Sequence, residues 1–140
     1  MKRSEGTEIA RTEVTKSLIE YIKKNKFVTV FGGEHAVSIG TIRAFNEMFP
    51  SLTVLNIGAH SNLRKSHNGS SINNACALHE ANQTTNLIQV GIRSMDVIET
   101  TIMDEERTFF AHDLAQDDYW MENAIDLMTD NVFISFDVSG

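Results

Sequence analysis

The chain has little cysteine, little proline and no long apolar run. Of its 140 residues, one is cysteine and one is proline. A single cysteine, Cys76, cannot build an intrachain disulfide framework, and its small apolar neighbours predict a buried, inert thiol. No segment approaches the roughly 20 apolar residues that span a bilayer, and no apolar stretch follows the charged start as it would in a signal peptide. These absences predict a soluble, cytoplasmic protein with no membrane segment.

Basic residues are also scarce. Lysine and arginine together number 12 against 19 aspartate and glutamate residues, which gives a formal net charge of -7. An acidic balance argues against general nucleic-acid binding. The hydrophobic content of 41% is enough for a packed core and excludes a disordered chain. We therefore expect one globular domain over residues 1–140.

Apolar runs and helical patterns alternate along the chain. Apolar runs predict strands at residues 27–31, 52–57, 87–92, 108–111 and 131–136. Amphipathic periodicity predicts helices at residues 8–25, 36–48, 73–81 and 119–128. The nearly continuous apolar run at 27–31 is typical of a strand buried on both faces. This order predicts an α/β fold with a doubly wound, mainly parallel sheet.

Polar residues follow three of the predicted strands. His35 comes after the first strand, His60 after the second and Asp137 after the last. Each residue alone fits a structural role: His35 in a strand-to-helix turn, His60 as a hydrogen-bonded histidine, and Asp137 as a helix cap or loop residue. The carboxyl ends of parallel strands meet at one edge, where ligands bind in open α/β sheets. Their co-occurrence therefore favours a common site.

The sequence around these residues contains three ordered motifs. Residues 32–36 read Gly-Gly-Glu-His-Ala, residues 58–64 read Gly-Ala-His-Ser-Asn-Leu-Arg, and residues 135–140 read Ser-Phe-Asp-Val-Ser-Gly. Residues 69–76 and 89–94 carry weaker similarities. The set resembles the ureohydrolase (arginase/agmatinase) family, and its motifs are most similar in sequence to those of agmatinases. That family's signatures are Gly-Gly-Asp/Glu-His-Ser, Asp-Ala-His-x-Asp-x-Arg and Ser-Phe-Asp-x-Asp-Gly.

The resemblance implies a fold, a cofactor and an activity. The family has an arginase-like, three-layer α/β/α fold. It uses two Mn²⁺ ions, held by four carboxylates and two histidines, to hydrolyse a guanidino compound such as agmatine to urea and an amine such as putrescine. By this resemblance His35 ligates one metal, His60 ligates the other, and Asp137 contacts both. Relatives commonly assemble into oligomers, so we expect a homo-oligomer.

Four site positions depart from the family pattern. Gly58, Asn62 and Ser139 stand where the family has metal-binding aspartates, and Asn74 stands where agmatinase-like members have a histidine. Hard Mn²⁺ prefers anionic oxygen ligands, so the loss of three carboxylates predicts an impaired hydrolase. One alternative is a non-catalytic pseudoenzyme that acts as an oligomer partner. Another is a binding domain that uses the same crevice for a different ligand.

The last predicted strand lies close to the end of the sequence. Only four residues, 137–140, follow it, and none of them can form a covering helix. A parallel sheet is normally covered on both faces. We therefore expect the arginase-like sheet to be incomplete at the C-terminus. An uncovered apolar face or unpaired strand edge should then favour self-association or marginal stability.

Overall fold

The computed structural model describes residues 3–139, with side chains from residue 12 onward. Gly140, the last residue of the third motif, lies outside the described residues. No helix within the described part of the chain has both the length and the apolar character to cross a bilayer. The helices are α1 (Arg3–Lys23), α2 (Val37–Met48), α3 (His79–Thr84), α4 (Val97–Thr100), α5 (Ala111–Leu114) and α6 (Tyr119–Asp126). The strands are β1 (Thr53–Ile57), β2 (Asn86–Ile92), β3 (Thr108–Phe110) and β4 (Val132–Phe136).

The four strands form one parallel sheet in the order β3-β2-β1-β4. In the register of this sheet, Leu55 of β1 lies beside Ile88 of β2 and Ile134 of β4. The parallel sheet predicted from the alternating pattern is therefore confirmed. All four carboxyl ends point to one edge, where the motif residues lie.

Helices cover both faces of the sheet. On one face, Val54 and Leu87 are buried in a core with Ile42 of α2 and Ala81 of α3. On the other face, Ile88 and Val90 pack with Ala124 of α6. The three-layer α/β/α arrangement is confirmed, and α1 packs outside α2 through Leu18 and Ile22.

The predicted strand at residues 27–31 is wrong. The segment has no regular secondary structure and forms no ladder, and Phe27 and Phe31 are almost fully exposed. A strand requires a neighbour for its backbone hydrogen bonds, and none of the four strands lies next to this segment. The predicted helix at 73–81 is divided into a 3₁₀ turn (Asn74–Cys76) and the shorter α3.

One apolar face of β4 is uncovered. Val132, Ile134 and Phe136 point to the face that α6 covers over β2, but at β4 they remain exposed. β4 is also the last strand in the sheet order. Among the described residues, β4 therefore has both the uncovered face and the free edge that the sequence predicts.

Candidate metal centre

The three residues singled out from the motifs meet at the carboxyl edge of the sheet. His35 lies in the turn before α2, His60 follows β1, and Asp137 follows β4, where its amide donates to the carbonyl of Ile57 across 2.9 Å. His35 Nδ1 lies 3.3 Å from Asp137 Oδ2. His60 is close enough to lower the pKa of both His35 and Asp137 electrostatically. The fold thus brings together residues that are up to a hundred positions apart in the sequence.

His35 is buried, and both of its ring nitrogens are engaged. Nδ1 lies 2.8 Å from the side-chain nitrogen of Asn62, and Nε2 lies 3.0 Å from the hydroxyl of Ser135. Burial lowers the pKa of His35, and nearby His60 lowers it further, against the opposing effect of Asp137. In a neutral ring, Nδ1 accepts a hydrogen bond from Asn62, and Nε2 then carries the proton and donates to Ser135. In this tautomer the Nδ1 lone pair accepts from Asn62 and is not free for a cation.

Asp137 is held by Ser139, at a position where the resemblance implies an aspartate. The hydroxyl of Ser139 donates to Asp137 Oδ1 across 2.7 Å, and the Ser139 amide donates to the same oxygen across 3.0 Å. Burial alone would raise the pKa of Asp137. The Ser139 hydrogen bonds and the two nearby histidines outweigh burial, so the pKa is lowered. Asp137 is therefore ionised at neutral pH and already has hydrogen-bond partners.

Gly58, where the resemblance implies a carboxylate, has room for a β-carbon. A β-carbon built on Gly58 would lie 3.4 Å from Asp137 Cβ, an ordinary van der Waals contact, and 3.9 Å from Asn56 Nδ2. Asn56 is completely buried, and neither polar atom of its side chain has a hydrogen-bond partner among the described residues. The backbone around Gly58 thus admits a side chain, and an unpaired amide lies next to that position.

The loop after β1 is held in place by a buried carboxylate. Glu99, which is 4% exposed, accepts the amide of Leu63 at Oε1 and the amide of Asp96 at Oε2, both across 2.7 Å. Arg64 pairs with Asp96 across 2.7 Å on the outer side of the same loop. These contacts fix the backbone that carries His60 and Asn62.

Three further residues support the site: Ser135 contacts His35, Glu99 fixes the loop after β1, and Asn74 accepts the amide of Ala36 across 3.1 Å. The sequence singled out Asn74 only as a departure from the family pattern, and it did not predict Ser135 or Glu99 as site residues. Ser135 and Asn74 belong to segments used for the family comparison, and their proximity to His35 was the missing information. Glu99 carries no motif signal, because its role depends on a fold contact across 36 positions.

The residues present do not fit a two-metal centre. Of the six ligand positions that the resemblance implies, three match its residue types, His35, His60 and Asp137, and Asn62 Nδ2 engages the His35 nitrogen that faces the site. Among the side chains of residues 12–139, no three from histidine, cysteine, aspartate or glutamate are close enough together to hold a metal ion. A single carboxylate cannot supply the negative charge that two hydrated divalent cations require.

Comparison with known proteins identifies the family. The sequence profile of the arginase family matches residues 4–140, so the chain belongs to this family. It is 30% identical over 140 aligned residues to N(1)-aminopropylagmatine ureohydrolase from Synechocystis sp., covering 92% of this chain and 44% of that protein. The chain therefore spans less than half the length of this relative.

Solved structures share the fold. The agmatine ureohydrolase of Thermoplasma volcanium matches with a TM-score of 0.78 and 25% identity, over 97% of this chain and 47% of that one. The formiminoglutamase of Trypanosoma cruzi, solved with Mn²⁺, matches with a TM-score of 0.82 and 17% identity, over 94% and 48% of the two chains. The arginase fold predicted from the motifs is therefore confirmed for the part of the fold that this chain spans.

Proposed function

We propose that this chain is an agmatinase-like member of the arginase family whose metal centre is impaired. Its relatives include ureohydrolases that act on agmatine or aminopropylagmatine, and one structural neighbour holds Mn²⁺. These names support a guanidino compound as the ancestral substrate and Mn²⁺ as the ancestral cofactor. The observation that carries the proposal is the hydrogen bond from Asn62 to His35, at a position where the family has a metal-binding carboxylate.

The substitutions change charge as well as shape. Asn62 and Ser139 are neutral and donate hydrogen bonds to the ligand atoms of His35 and Asp137, while Gly58 contributes no side chain. A change in the outer shell of a metal site costs about 10–100-fold in affinity or activity. The loss of three anionic ligands should cost considerably more.

The test is urea release from agmatine by the purified chain in saturating Mn²⁺, with an active agmatinase as positive control. We expect no urea above the enzyme-free background. A matched variant, Gly58→Asp/Asn62→Asp/Ser139→Asp, restores the three carboxylates and separates the effect of the ligands from that of the remaining sequence. Urea release by the unmodified chain would contradict the proposal.

A second function, that of a non-catalytic oligomer partner, is supported by a separate observation. Ile134 and Phe136 on β4 are 60% and 68% exposed, although the side chains at the same levels are partly buried in β1 and fully buried in β2. Exposed apolar surface of this kind favours association. Light scattering on the purified chain over a concentration series tests this function, and a monomer at every concentration would contradict it.

A further inference from the structure

Asn68 and Gly69 form the exposed tip of a short hairpin in the loop after β1. The amide of His67 donates to the carbonyl of Ser70 across 2.8 Å, and the Ser70 amide donates to the His67 carbonyl across 3.0 Å. Asn68 and Gly69 have positive φ angles of 51° and 76°, as a type I′ turn requires. His67 and Ser70 form an isolated bridge rather than a longer ladder, so the tip can open locally at low cost.

Asn68 is the one asparagine of the sequence that precedes a glycine. The amide of Gly69 makes no hydrogen bond to another described residue, and neither does the Asn68 side chain. Glycine has no side chain, so its backbone can approach a neighbouring group closely. The main-chain nitrogen of Gly69 and the side-chain carbonyl carbon of Asn68 are therefore adjacent in the chain, and both are accessible.

Asn25 has the same backbone conformation as Asn68 but a different neighbour. It is exposed and has a φ of 53°. The amide that follows it, that of Lys26, donates to the carbonyl of Tyr21 across 3.2 Å, and Lys26 carries a side chain that obstructs approach to its nitrogen. The two asparagines thus share exposure and a left-handed backbone, and of the two Asn68 alone has a free amide next to it.

We propose that Asn68 is a site of spontaneous deamidation. The Gly69 nitrogen forms a bond to Cγ of Asn68, the bond from Cγ to the side-chain nitrogen breaks, and ammonia leaves with the Gly69 amide proton. Water then opens the resulting succinimide ring. Cleavage of the new bond between nitrogen and Cγ gives aspartate, whereas cleavage of the original main-chain bond gives isoaspartate. Either product carries one more negative charge than asparagine.

The isoaspartate product changes one wall of a cavity beside the candidate metal centre. This cavity has a volume of about 430 Å³, and its lining includes His60, Asn62, Arg64 and His67. Arg64 Nη1 donates to Nδ1 of His67 across 2.8 Å, which connects the hairpin to the rest of the cavity wall. Isoaspartate adds one backbone atom at the tip. Because a two-residue turn fixes the register of a hairpin, the extra atom releases the bridge between His67 and Ser70.

The test is incubation of the 140-residue chain in water labelled with heavy oxygen at mildly alkaline pH. The chain is then digested under mildly acidic conditions, which suppress further deamidation, and its peptides are analysed by mass spectrometry. We expect uptake of one labelled oxygen at residue 68, together with a more acidic species on ion exchange. Asn25 is the internal control and should stay unlabelled. No label at residue 68, or equal labelling of Asn25 and Asn68, would overturn the proposal.

The variant Gly69→Ala tests whether the Gly69 nitrogen is the nucleophile. A β-carbon at this position meets no other atom within 4 Å, so it obstructs the nitrogen without a clash elsewhere. We expect the rate of label uptake at residue 68 to fall at least about tenfold, which corresponds to about 1.4 kcal/mol in activation free energy. An unchanged rate would contradict direct attack by this amide.

The variant Asn68→Asp separates the added charge from the added backbone atom. It carries the negative charge of the products but keeps the normal backbone. Hydrogen exchange at the amides of His67 and Ser70 should be faster in the purified isoaspartate form than in Asn68→Asp. Equal exchange in the two proteins would contradict the release of the bridge.

Discussion

The side-chain nitrogen of Asn62 lies 2.8 Å from Nδ1 of His35, the ring nitrogen that faces Asp137. A metal-binding carboxylate at this position would leave the Nδ1 lone pair free for a cation, whereas a carboxamide donates to it. Asn62 has a positive φ of 53°, a conformation in which asparagine and aspartate are both enriched. A carboxamide that donates a hydrogen bond can therefore stand at residue 62 in place of a metal-binding carboxylate without a change in backbone conformation.

Stability should depend on pH through His35. Burial lowers its pKa in the folded chain below the ordinary value of 6.5. Between the folded and the unfolded pKa, the unfolded chain binds more protons, so the free energy of unfolding falls as pH falls. We expect the full contribution of neutral His35 to the unfolding free energy above about pH 6.5, and its progressive loss at lower pH. Urea unfolding at a series of pH values from neutral to mildly acidic measures this effect.

The variant His35→Gln is the control for this pH dependence, because glutamine does not titrate. The slope of unfolding free energy against pH below 6.5 should be smaller in the variant than in the unmodified chain. Asp137 does not interfere with this comparison. Because its pKa is lowered in the folded chain, it reduces the unfolding free energy only below pH 3.8. Identical slopes in the two proteins would show that His35 is not the responsible group.

The variant Glu99→Gln should destabilise the fold. Both Glu99 oxygens accept backbone amides, from Leu63 and Asp96. Glutamine keeps only one acceptor and turns an N–H group toward one of these amides, which leaves a buried donor unpaired. We expect a loss of about 1–3 kcal/mol in unfolding free energy. The exposed Glu105→Gln is the control, and equal stability of the two variants would contradict the assigned role.

The variant Asn56→Leu should stabilise the fold. Both polar atoms of the Asn56 side chain are buried without a partner among the described residues, and leucine has the same branching and number of heavy atoms in its side chain. Removing an unpaired buried amide should raise the unfolding free energy by about 1–2 kcal/mol. The exposed Asn123→Leu on α6 controls for a general effect of leucine. A less stable Asn56→Leu protein would indicate that a bound water or ion satisfies the amide.

The restored variant Gly58→Asp/Asn62→Asp/Ser139→Asp should respond to manganese. Its added carboxylates lie close to Asp137, so their mutual repulsion should lower the melting temperature in the presence of a chelator. Mn²⁺ should raise the melting temperature in a concentration-dependent way, because it binds only the folded state. The neutral variant Gly58→Asn/Ser139→Asn should show no such response. If both variants respond equally, the missing charge is not what limits binding.

Most of the sheet could be predicted from the sequence, because its strands are short apolar runs between turn residues and helices. Residues 87–92 and 131–136 were placed within one residue of β2 and β4. The prediction of a strand at 27–31 was wrong because local composition indicates how well a segment suits a strand, not whether another strand lies beside it to pair with.

The candidate site was only partly predictable. The motifs identified His35, His60 and Asp137, and the structure brings all three to one edge of the sheet. The sequence also showed that Asn62 and Ser139 lack negative charge. It did not show that each donates a hydrogen bond to a remaining ligand, since that depends on side-chain positions across the fold.

Manganese stoichiometry is the most direct test of the central claim that the centre has lost its metal-binding function. The unmodified chain is dialysed to equilibrium against Mn²⁺, and bound metal is measured by elemental analysis beside the restored variant. We predict no stoichiometric manganese in the unmodified chain and bound manganese in the variant. Two manganese ions per unmodified chain would contradict the account, because the site would then bind metal without the three carboxylates.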